Sequence, residues 1–315
     1  MKVLFADSAH PSLKENLIRA GVHCVEPDWD RATALKNIYQ YDGIVIRSRF
    51  KFDCEMIDAA RNAKFIARVG AGMENIDVAY AQQKGIACLS APEGNRDAVA
   101  EHALGMLLAL TNNLLKADAE VRQGKWIREP NRGWEISGKT IGIIGLGNNG
   151  SALARLLKGF NCRILAYDPY LERSSVDSVT LCSMDTVFEQ ADVVSLHVPL
   201  NEETHYLVNE HWLSRFRKKI WFINTARGKC VDTLALLDAL DQDKVKGAAL
   251  DVLEFEALSF ENTETQSHVF QRLVQHPRVV LSPHIAGWTF ESNEKMAQIL
   301  SERIIAIVFP ETKNT

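Results

Sequence analysis

The chain has 315 residues, of which 46% are hydrophobic and 24% charged, and its formal net charge is −4. This is the composition of a folded globular protein, and it excludes a disordered chain. The length favours two domains. The lack of a basic excess argues against nucleic acid as a partner.

The sequence also predicts a cytoplasmic protein without membrane contact. We expect no transmembrane helix, because no apolar run reaches about 18 residues. The N-terminal residues lack the long apolar region of a secretory leader. The six cysteines are scattered without a Cys-x-x-Cys pair, so we expect reduced thiols and no metal site.

Short β-branched runs alternate with helical patterns along the first third of the chain. Apolar spacing predicts a helix at 12–20 ended by Gly21, and a long helix from 96 to about 121. The runs predict strands at 3–6, 22–25, 43–47, 65–69 and 86–89.

The second part of the chain opens with a segment rich in Trp, Arg, Pro and Gly at 122–137, which we interpret as an irregular arm. A second strand–helix series follows, and a helix at about 291–308 is expected to return to the first series. The predicted strands are 140–144, 163–167, 193–198, 220–224, 247–252 and 279–282. This alternation predicts an α/β fold with two parallel sheets.

A glycine-rich loop follows the strand at 140–144 and opens a helical pattern: Gly145-Leu146-Gly147-Asn148-Asn149-Gly150. The next strand ends at Asp168, 23 residues after Gly145. Strand, loop, helix, strand and acid together form the dinucleotide-binding fingerprint. The charge of Asp168 would repel a 2′-phosphate, which favours NAD over NADP. The alternative is a glycine turn that binds nothing.

Three more motifs follow later strands, at 224–228, 251–256 and 282–287, and they deliver Arg227, Glu256 and His284 to the edge where ligands bind in open α/β sheets. An arginine can grip a carboxylate and a neighbouring carbonyl. A histidine can exchange a proton with the carbonyl oxygen, and a carboxylate can hold the imidazole. Taken singly, each residue could instead be a surface charge or a packing residue.

These motifs, in this order, resemble those of the D-isomer-specific 2-hydroxyacid dehydrogenases over nearly the whole chain. Three earlier runs, at 46–48, 68–77 and 91–95, are similar to the loops of that family's substrate domain. The resemblance implies two Rossmann-like domains with a cleft between them. A flavodoxin-like substrate domain would comprise 1–98 and 289–315, and an NAD-binding domain 99–288.

The resemblance also implies roles for single residues. Arg227 would bind the substrate, His284 would be the acid–base and Glu256 its partner. The substrate-binding residues would be Arg47, Ser48, Arg68, Val69, Gly70, Asn95 and Arg128, with backbone N–H groups of Val69 and Gly70 on the carboxylate. The cofactor contacts would be Ala71, the loop at 145–150, Asp168, His197, Val198, Pro199, Thr204, Thr225, Ala226, Asp251 and Gly287.

Two histidines have other interpretations. His197 could equally be a buried strand histidine, and His102, inside the long helix, is interpreted as structural. The family usually has Pro where this chain has Ala257, and the segment at 258–268 is unusual in composition.

The substrate is expected to be a small anionic 2-hydroxy or 2-keto acid. Arg47, Arg68 and Arg128 favour 3-phosphoglycerate and 3-phosphohydroxypyruvate, hence serine biosynthesis, because converging arginines suit a phosphate and a carboxylate. Each arginine could also be a solvated charge. The alternatives are a hydroxypyruvate/glyoxylate or D-lactate-type reductase and, from another class, an NAD-sensing corepressor.

Two further expectations concern assembly and regulation. Trp126 and Trp134 predict a homodimer through the cofactor domain and the arm, although packing within one subunit would also explain them. After the two domains no residues remain for the C-terminal regulatory domain of many phosphoglycerate dehydrogenases, so we expect no feedback control by serine through it.

Overall fold

The computed structural model describes residues 1–256 and 265–310 of the chain. Ala257 and part of the unusual segment at 258–268 lie outside the described residues. Two compact units divide the chain, one of 1–95 with 288–310 and the other of 96–256 with 265–287. The domain divisions expected from the sequence were 98/99 and 288/289. None of the described helices has the length and apolar character needed to cross a membrane.

The first unit is a five-stranded parallel sheet with helices, in the strand order β2-β1-β3-β4-β5. The strands are β1 Lys2–Phe5, β2 His23–Val25, β3 Gly43–Ile46, β4 Phe65–Arg68 and β5 Ala87–Leu89. The helices are α1 Pro11–Arg19, α2 Arg31–Asn37, α3 Cys54–Ala59 and α4 Val78–Gln83, joined by the chain's last helix, α12 Phe290–Val308. The interior strands β3 and β4 are buried along their whole length, as expected for a parallel sheet covered on two faces.

Helix α12 belongs to this first unit. Its apolar stripe, Met296, Ala297, Leu300 and Ile304, is buried in one cluster with residues of β1 and α1. The Asn16 side chain donates a hydrogen bond to Ser301 Oγ (3.3 Å). Thr289 and Ser292 form a reciprocal capping box that fixes where α12 begins.

The second unit is a seven-stranded parallel sheet in the order β12-β11-β10-β9-β6-β7-β8. The strands are β6 Thr140–Ile144, β7 Arg163–Tyr167, β8 Val179–Leu181, β9 Val193–Leu196, β10 Ile220–Asn224, β11 Val245–Leu250 and β12 Val279–Leu281. The helices are α5 Arg96–Thr111, α6 Leu114–Arg122, α7 Asn148–Leu157, α8 Met184–Gln190, α9 Glu210–Ser214, α10 Thr233–Asp241 and α11 His268–Gln275. Two parallel α/β sheets therefore confirm the predicted fold class.

The predicted long helix from 96 to 121 is wrong in one respect, because the structure breaks it into α5 and α6. Asn113 lies in the left-handed region (φ 53°), which an α-helix interior does not allow. The backbone N–H of Trp134 donates to the carbonyl of Thr111 (2.9 Å) and satisfies the end of α5. Strand β8 at the sheet edge was not predicted. Only a short 3-10 turn, Glu129–Asn131, lies within the arm.

Candidate active site

The glycine-rich loop between β6 and α7 has the backbone geometry of a phosphate-binding loop. Gly145 has a positive φ of 89°, which favours glycine. A Cβ atom at Gly150 would lie 2.1 Å from the carbonyl oxygen of Gly145, so only glycine lets the helix start this close to the strand. At Gly147 a Cβ would meet nothing within 4 Å. No side chain caps the N-terminus of α7 there, which leaves its backbone N–H groups for an anion.

Asp168, at the end of β7, holds this loop in place. One of its carboxylate oxygens accepts a hydrogen bond from the backbone N–H of Leu146 (2.9 Å), and the other accepts from the N–H of Tyr170 (3.0 Å). The Leu146 N–H is therefore engaged within the protein. A carboxylate can accept about four hydrogen bonds, so Asp168 retains capacity for ribose hydroxyl groups.

Three of the residues predicted to contact the cofactor carry a buried polar atom without a hydrogen-bond partner in the described part of the chain. These atoms are Asn149 Oδ1, His197 Nδ1 and Thr225 Oγ1. Buried polar groups are normally paired, and these three residues follow β6, β9 and β10, which lie side by side in the sheet, so the unpaired set suits a polar ligand. The residues present therefore fit a dinucleotide.

His197 lies directly after β9, and its Nε2 atom is 2.8 Å from Ser195 Oγ. Burial lowers the pKa of His197 to about 4, so the ring is neutral at physiological pH. Its backbone carbonyl would lie 2.9 Å from a Cβ atom at Gly145, which places it against the glycine loop.

The remaining predicted cofactor residues next to β9 and β10 are engaged in local turns. Thr204 Oγ1 donates to the carbonyl oxygen of Pro199 (2.6 Å) and fixes the turn after β9. The Ala226 N–H donates to Asn224 Oδ1 (2.9 Å). Contacts of Val198, Pro199, Thr204 and Ala226 with a cofactor stay predictions.

The structure brings His284 and Glu256 together. His284 Nδ1 lies 2.6 Å from Glu256 Oε2, and the two side chains are 24% and 13% exposed. The other oxygen of Glu256 accepts a hydrogen bond from the backbone N–H of Leu253, which fixes the carboxylate. Thus a half-buried, doubly anchored carboxylate orients the imidazole ring.

The loop that carries His284 has an unusual backbone, since His284 lies in the left-handed region with φ 56°. Such a conformation costs free energy for a residue other than glycine, and it persists only where the surroundings enforce it. Asp251 supplies that restraint. Its carboxylate accepts hydrogen bonds from the N–H groups of Ile285 (2.9 Å) and Ala286 (2.8 Å), and its carbonyl accepts one from the His284 N–H (2.7 Å).

The side chain of Asp251 is 1% exposed and faces these protein donors. Its predicted contact with the cofactor stays a prediction, as does that of Gly287, which follows the same loop.

Arg227 is presented by a turn at the end of β10. The Asn224 side chain spans this turn, because its Nδ2 donates to the Arg227 carbonyl (3.0 Å) while its Oδ1 accepts from Ala226. The next residue, Gly228, packs directly on the backbone of the loop after β11: a Cβ atom there would lie 1.9 Å from the Leu253 carbonyl oxygen. This contact brings the arginine turn against the loop that carries Glu256.

In the first unit, Arg47 and Ser48 follow β3. The Arg47 guanidinium stacks on the Trp288 ring, 4.0 Å from its centroid, and has no hydrogen-bond or ion-pair partner within 1–256 and 265–310. Backbone N–H groups of Arg47 and Ser48 donate to the Asp7 carboxylate (3.1 and 2.6 Å). Asp7 therefore shapes this turn and leaves the Arg47 side chain available for an anion.

Arg68 differs from Arg47, because its side chain is buried and bound to backbone carbonyl groups. It donates to the carbonyl oxygens of Arg47 (3.2 Å) and Gly72 (2.5 Å) and so holds the loop after β4. Its predicted contact with a phosphate stays a prediction, whereas its part in shaping the loop is visible.

The structure corrects the expected role of the Val69 N–H group, which donates to the Ile46 carbonyl (2.8 Å) as part of the sheet. In the described residues, the N–H groups of Gly70 and Ala71 have no hydrogen-bond partner and remain the candidate donors to a carboxylate. Asn95 Oδ1 is likewise buried and unpaired.

The sequence analysis gave no role to Asp7 or Trp288, and it included Asn224 and Gly228 only as members of the motif at 224–228. Asp7 lies two residues after β1 and Asn224 is the last residue of β10, and a position at the carboxyl end of a strand was the signal that could have marked them. Arg128 lies on the exposed arm, and the structure shows no contact that tests its predicted role.

Comparison with known proteins identifies the family of this chain. The model of the D-isomer specific 2-hydroxyacid dehydrogenase NAD-binding domain matches residues 104–286. The chain is 39% identical over 292 residues to a glyoxylate reductase of Thermofilum pendens, with 89% of this chain and 83% of that protein covered. It is 37% identical over 308 residues to a D-3-phosphoglycerate dehydrogenase of Archaeoglobus fulgidus, with 97% of this chain but only 57% of that protein covered.

A solved structure of D-lactate dehydrogenase from Aquifex aeolicus, complexed with NAD and lactic acid, is similar with a TM-score of 0.83 and 27% identity, and covers 98% of this chain and 95% of that one. The chain belongs to the D-isomer specific 2-hydroxyacid dehydrogenase family, and residues 104–286 are its NAD-binding domain. The family places it in a class of NAD-dependent oxidoreductases.

Proposed function

We propose that this protein transfers a hydride between NAD(H) and C2 of a D-2-hydroxy acid or the corresponding 2-keto acid. The observation that carries the proposal is the His284–Glu256 pair, which stands with Arg227 and the glycine-rich loop in one unit, each after a strand of the same parallel sheet. All carboxyl ends of parallel strands meet at one edge, which is where ligands bind in such sheets.

The side chains divide the acid–base work as follows. Since Glu256 occupies Nδ1 of His284, the ring would exchange the proton of the substrate hydroxyl through Nε2. Arg227 would bind the substrate carboxylate and stabilise negative charge on the carbonyl oxygen. The nicotinamide ring, when NAD is bound, accepts or supplies the hydride.

Residues around the glycine-rich loop would hold the cofactor. The N–H groups at the start of α7 would bind the pyrophosphate, and Asp168 would accept hydrogen bonds from the adenosine ribose. The unpaired polar atoms of Asn149, His197 and Thr225 would find partners there.

For the substrate we propose 3-phosphoglycerate and 3-phosphohydroxypyruvate, which would place the reaction in serine biosynthesis. The support is Arg47, because its guanidinium stacks on Trp288 and has no hydrogen-bond or ion-pair partner among residues 1–256 and 265–310, which prepares it for an anion such as a phosphate. A D-3-phosphoglycerate dehydrogenase is among the similar proteins. The alternative substrates are the smaller keto acids glyoxylate and hydroxypyruvate, because other similar proteins are named glyoxylate reductase and hydroxypyruvate reductase.

Initial rates with NADH on phosphohydroxypyruvate, hydroxypyruvate, glyoxylate and pyruvate test the proposal. We expect phosphohydroxypyruvate to give the highest kcat/KM, and Arg47→Ala to raise its KM about tenfold while leaving hydroxypyruvate within twofold. Arg49→Ala is the matched control, since Arg49 belongs to the same turn but pairs with Asp28 (2.7 Å). Equal kcat/KM for the two hydroxypyruvates would exclude the phosphate preference, and no activity on any acid would exclude the dehydrogenase.

We also propose a cytoplasmic homodimer that uses the arm at 122–137. All six cysteines are free thiols, as in proteins of reducing compartments. Trp126 supports the dimer, since its side chain is 81% exposed and exposed aromatic residues are enriched at interfaces. Trp134 packs partly on Trp221 of its own chain. Sedimentation velocity should show a dimer for wild type and a larger dimer dissociation constant for Trp126→Ala. A monomeric wild type would contradict the proposal.

A further inference from the structure

We propose that His102 of α5 is a positioning residue for the reaction: through Ser282 and Asp251 it holds the loop that presents His284. The inference rests on the proposed function for its catalytic consequence. Its structural part, a continuous chain of hydrogen bonds from α5 to the loop at 284–287, stands independently of the substrate.

The chain of contacts runs through three side chains. His102 Nε2 lies 2.8 Å from Ser282 Oγ, and the Ser282 hydroxyl donates to Asp251 Oδ1 (2.6 Å). The same Asp251 oxygen accepts the Ile285 N–H, and the second oxygen accepts the Ala286 N–H. A helix far away in the sequence is thereby linked to the two residues that follow His284.

The direction of each hydrogen bond is fixed by the donors present. A carboxylate only accepts, and the Met106 thioether 3.6 Å from Ser282 Oγ has no proton to give, so Ser282 gives its single hydroxyl proton to Asp251 and can accept one only from its nitrogen neighbour. That neighbour is His102, whose Nε2 therefore carries a proton in this arrangement. His102 Nε2 also lies 3.5 Å from Asp251 Oδ1, so the imidazole adds a favourable partner beside a carboxylate that is almost fully buried.

The link matters because the His284 backbone needs restraint. A residue at φ 56° keeps that strained backbone conformation only where its surroundings enforce it. Asp251 supplies its hydrogen bonds to this loop only while its carboxylate keeps its orientation, and Ser282 and His102 hold the Oδ1 atom that also accepts the Ile285 N–H. Loss of His102 removes one support and leaves Ser282 free to turn away from Asp251.

The experiment compares His102→Ala and His102→Gln, since the glutamine amide can place an N–H group near the position of Nε2. Leu104→Ala is the matched control, because it shortens another side chain of α5 that packs on the core of this unit. For each variant, kcat, KM, NADH affinity by fluorescence titration, Tm and hydrogen–deuterium exchange of the peptide spanning 282–287 are measured.

We expect His102→Ala to lower kcat about tenfold, with NADH affinity within twofold, and to speed exchange at the Ile285 and Ala286 amides at least fivefold. His102→Gln should recover most of both losses, and Leu104→Ala should lower Tm without changing the exchange of this peptide. Unchanged exchange in His102→Ala would overturn the proposal. It would also be overturned if His102→Gln lost as much kcat and amide protection as His102→Ala. Wild type that binds NADH yet reduces no keto acid would refute the proposed function and leave the exchange test intact.

Discussion

Gly228→Ala gives a direct test of how Arg227 and Glu256 are held together. The added Cβ atom would lie 1.9 Å from the carbonyl oxygen and 2.0 Å from the carbonyl carbon of Leu253. Both neighbours are backbone atoms that connect β11 to Glu256, so no side-chain rotation relieves the overlap. The turn that presents Arg227 must therefore move away from the loop that carries Glu256.

The size of the movement follows from the contact. A carbon and a carbonyl oxygen approach to about 3.3 Å, so the two loops must separate by about 1.4 Å. Misplacement of a catalytic group by about 1 Å can cost about 100-fold in rate. We expect kcat/KM of Gly228→Ala to fall about 100-fold, which corresponds to about 2.7 kcal/mol of transition-state stabilisation.

The assay is the initial rate with NADH and the preferred keto acid, with NADH affinity measured by fluorescence titration. The affinity should change less than threefold, because the glycine-rich loop is not displaced. Gly159→Ala is the control, since a Cβ atom there would meet nothing within 4 Å and its rate should equal that of wild type. A kcat/KM within threefold of wild type in Gly228→Ala would refute the reasoning.

Three further predictions follow from the site. His284→Ala should lower kcat by roughly 10²–10⁴ through lost acid–base catalysis, and a wild-type rate would remove His284 from the mechanism. Asp168→Asn should reduce the preference for NADH over NADPH in kcat/KM, because the charge that would repel the 2′-phosphate is gone; an unchanged ratio would contradict this. Burial holds the pKa of His197 near 4, whereas the histidine of the unfolded chain has its ordinary pKa of about 6.5. As the pH falls from 6.5 to 4, this histidine is protonated in the unfolded chain but not in the folded protein, so the free energy of unfolding should fall by about 3 kcal/mol. In urea unfolding over this pH range, His197→Gln should lose about 3 kcal/mol less than wild type, and equal losses would contradict the prediction.

Local patterns in the sequence predicted the elements that depend on local causes. The alternation of β-branched runs with helical spacing indicated two parallel sheets, because strand and helix place apolar side chains at different periods. The glycine-rich loop was recognisable because its glycines have local causes: Gly145 has a positive φ of 89°, and Gly150 packs on the carbonyl oxygen of Gly145, five residues earlier. The break after Thr111 escaped prediction, since it depends on a contact with Trp134 across the arm.

The sequence by itself determined which residue types could do the chemistry: an arginine, a glutamate and a histidine, each after a strand, together with a dinucleotide loop. Only the tertiary structure decided which neighbouring residues fix these side chains and their loops in position. The Asp251 grip on the His284 loop, the contact of Gly228 with Leu253 and the engaged N–H of Val69 join residues that are more than 20 positions apart. Such pairings depend on which strands lie side by side, and no local spacing carries that information.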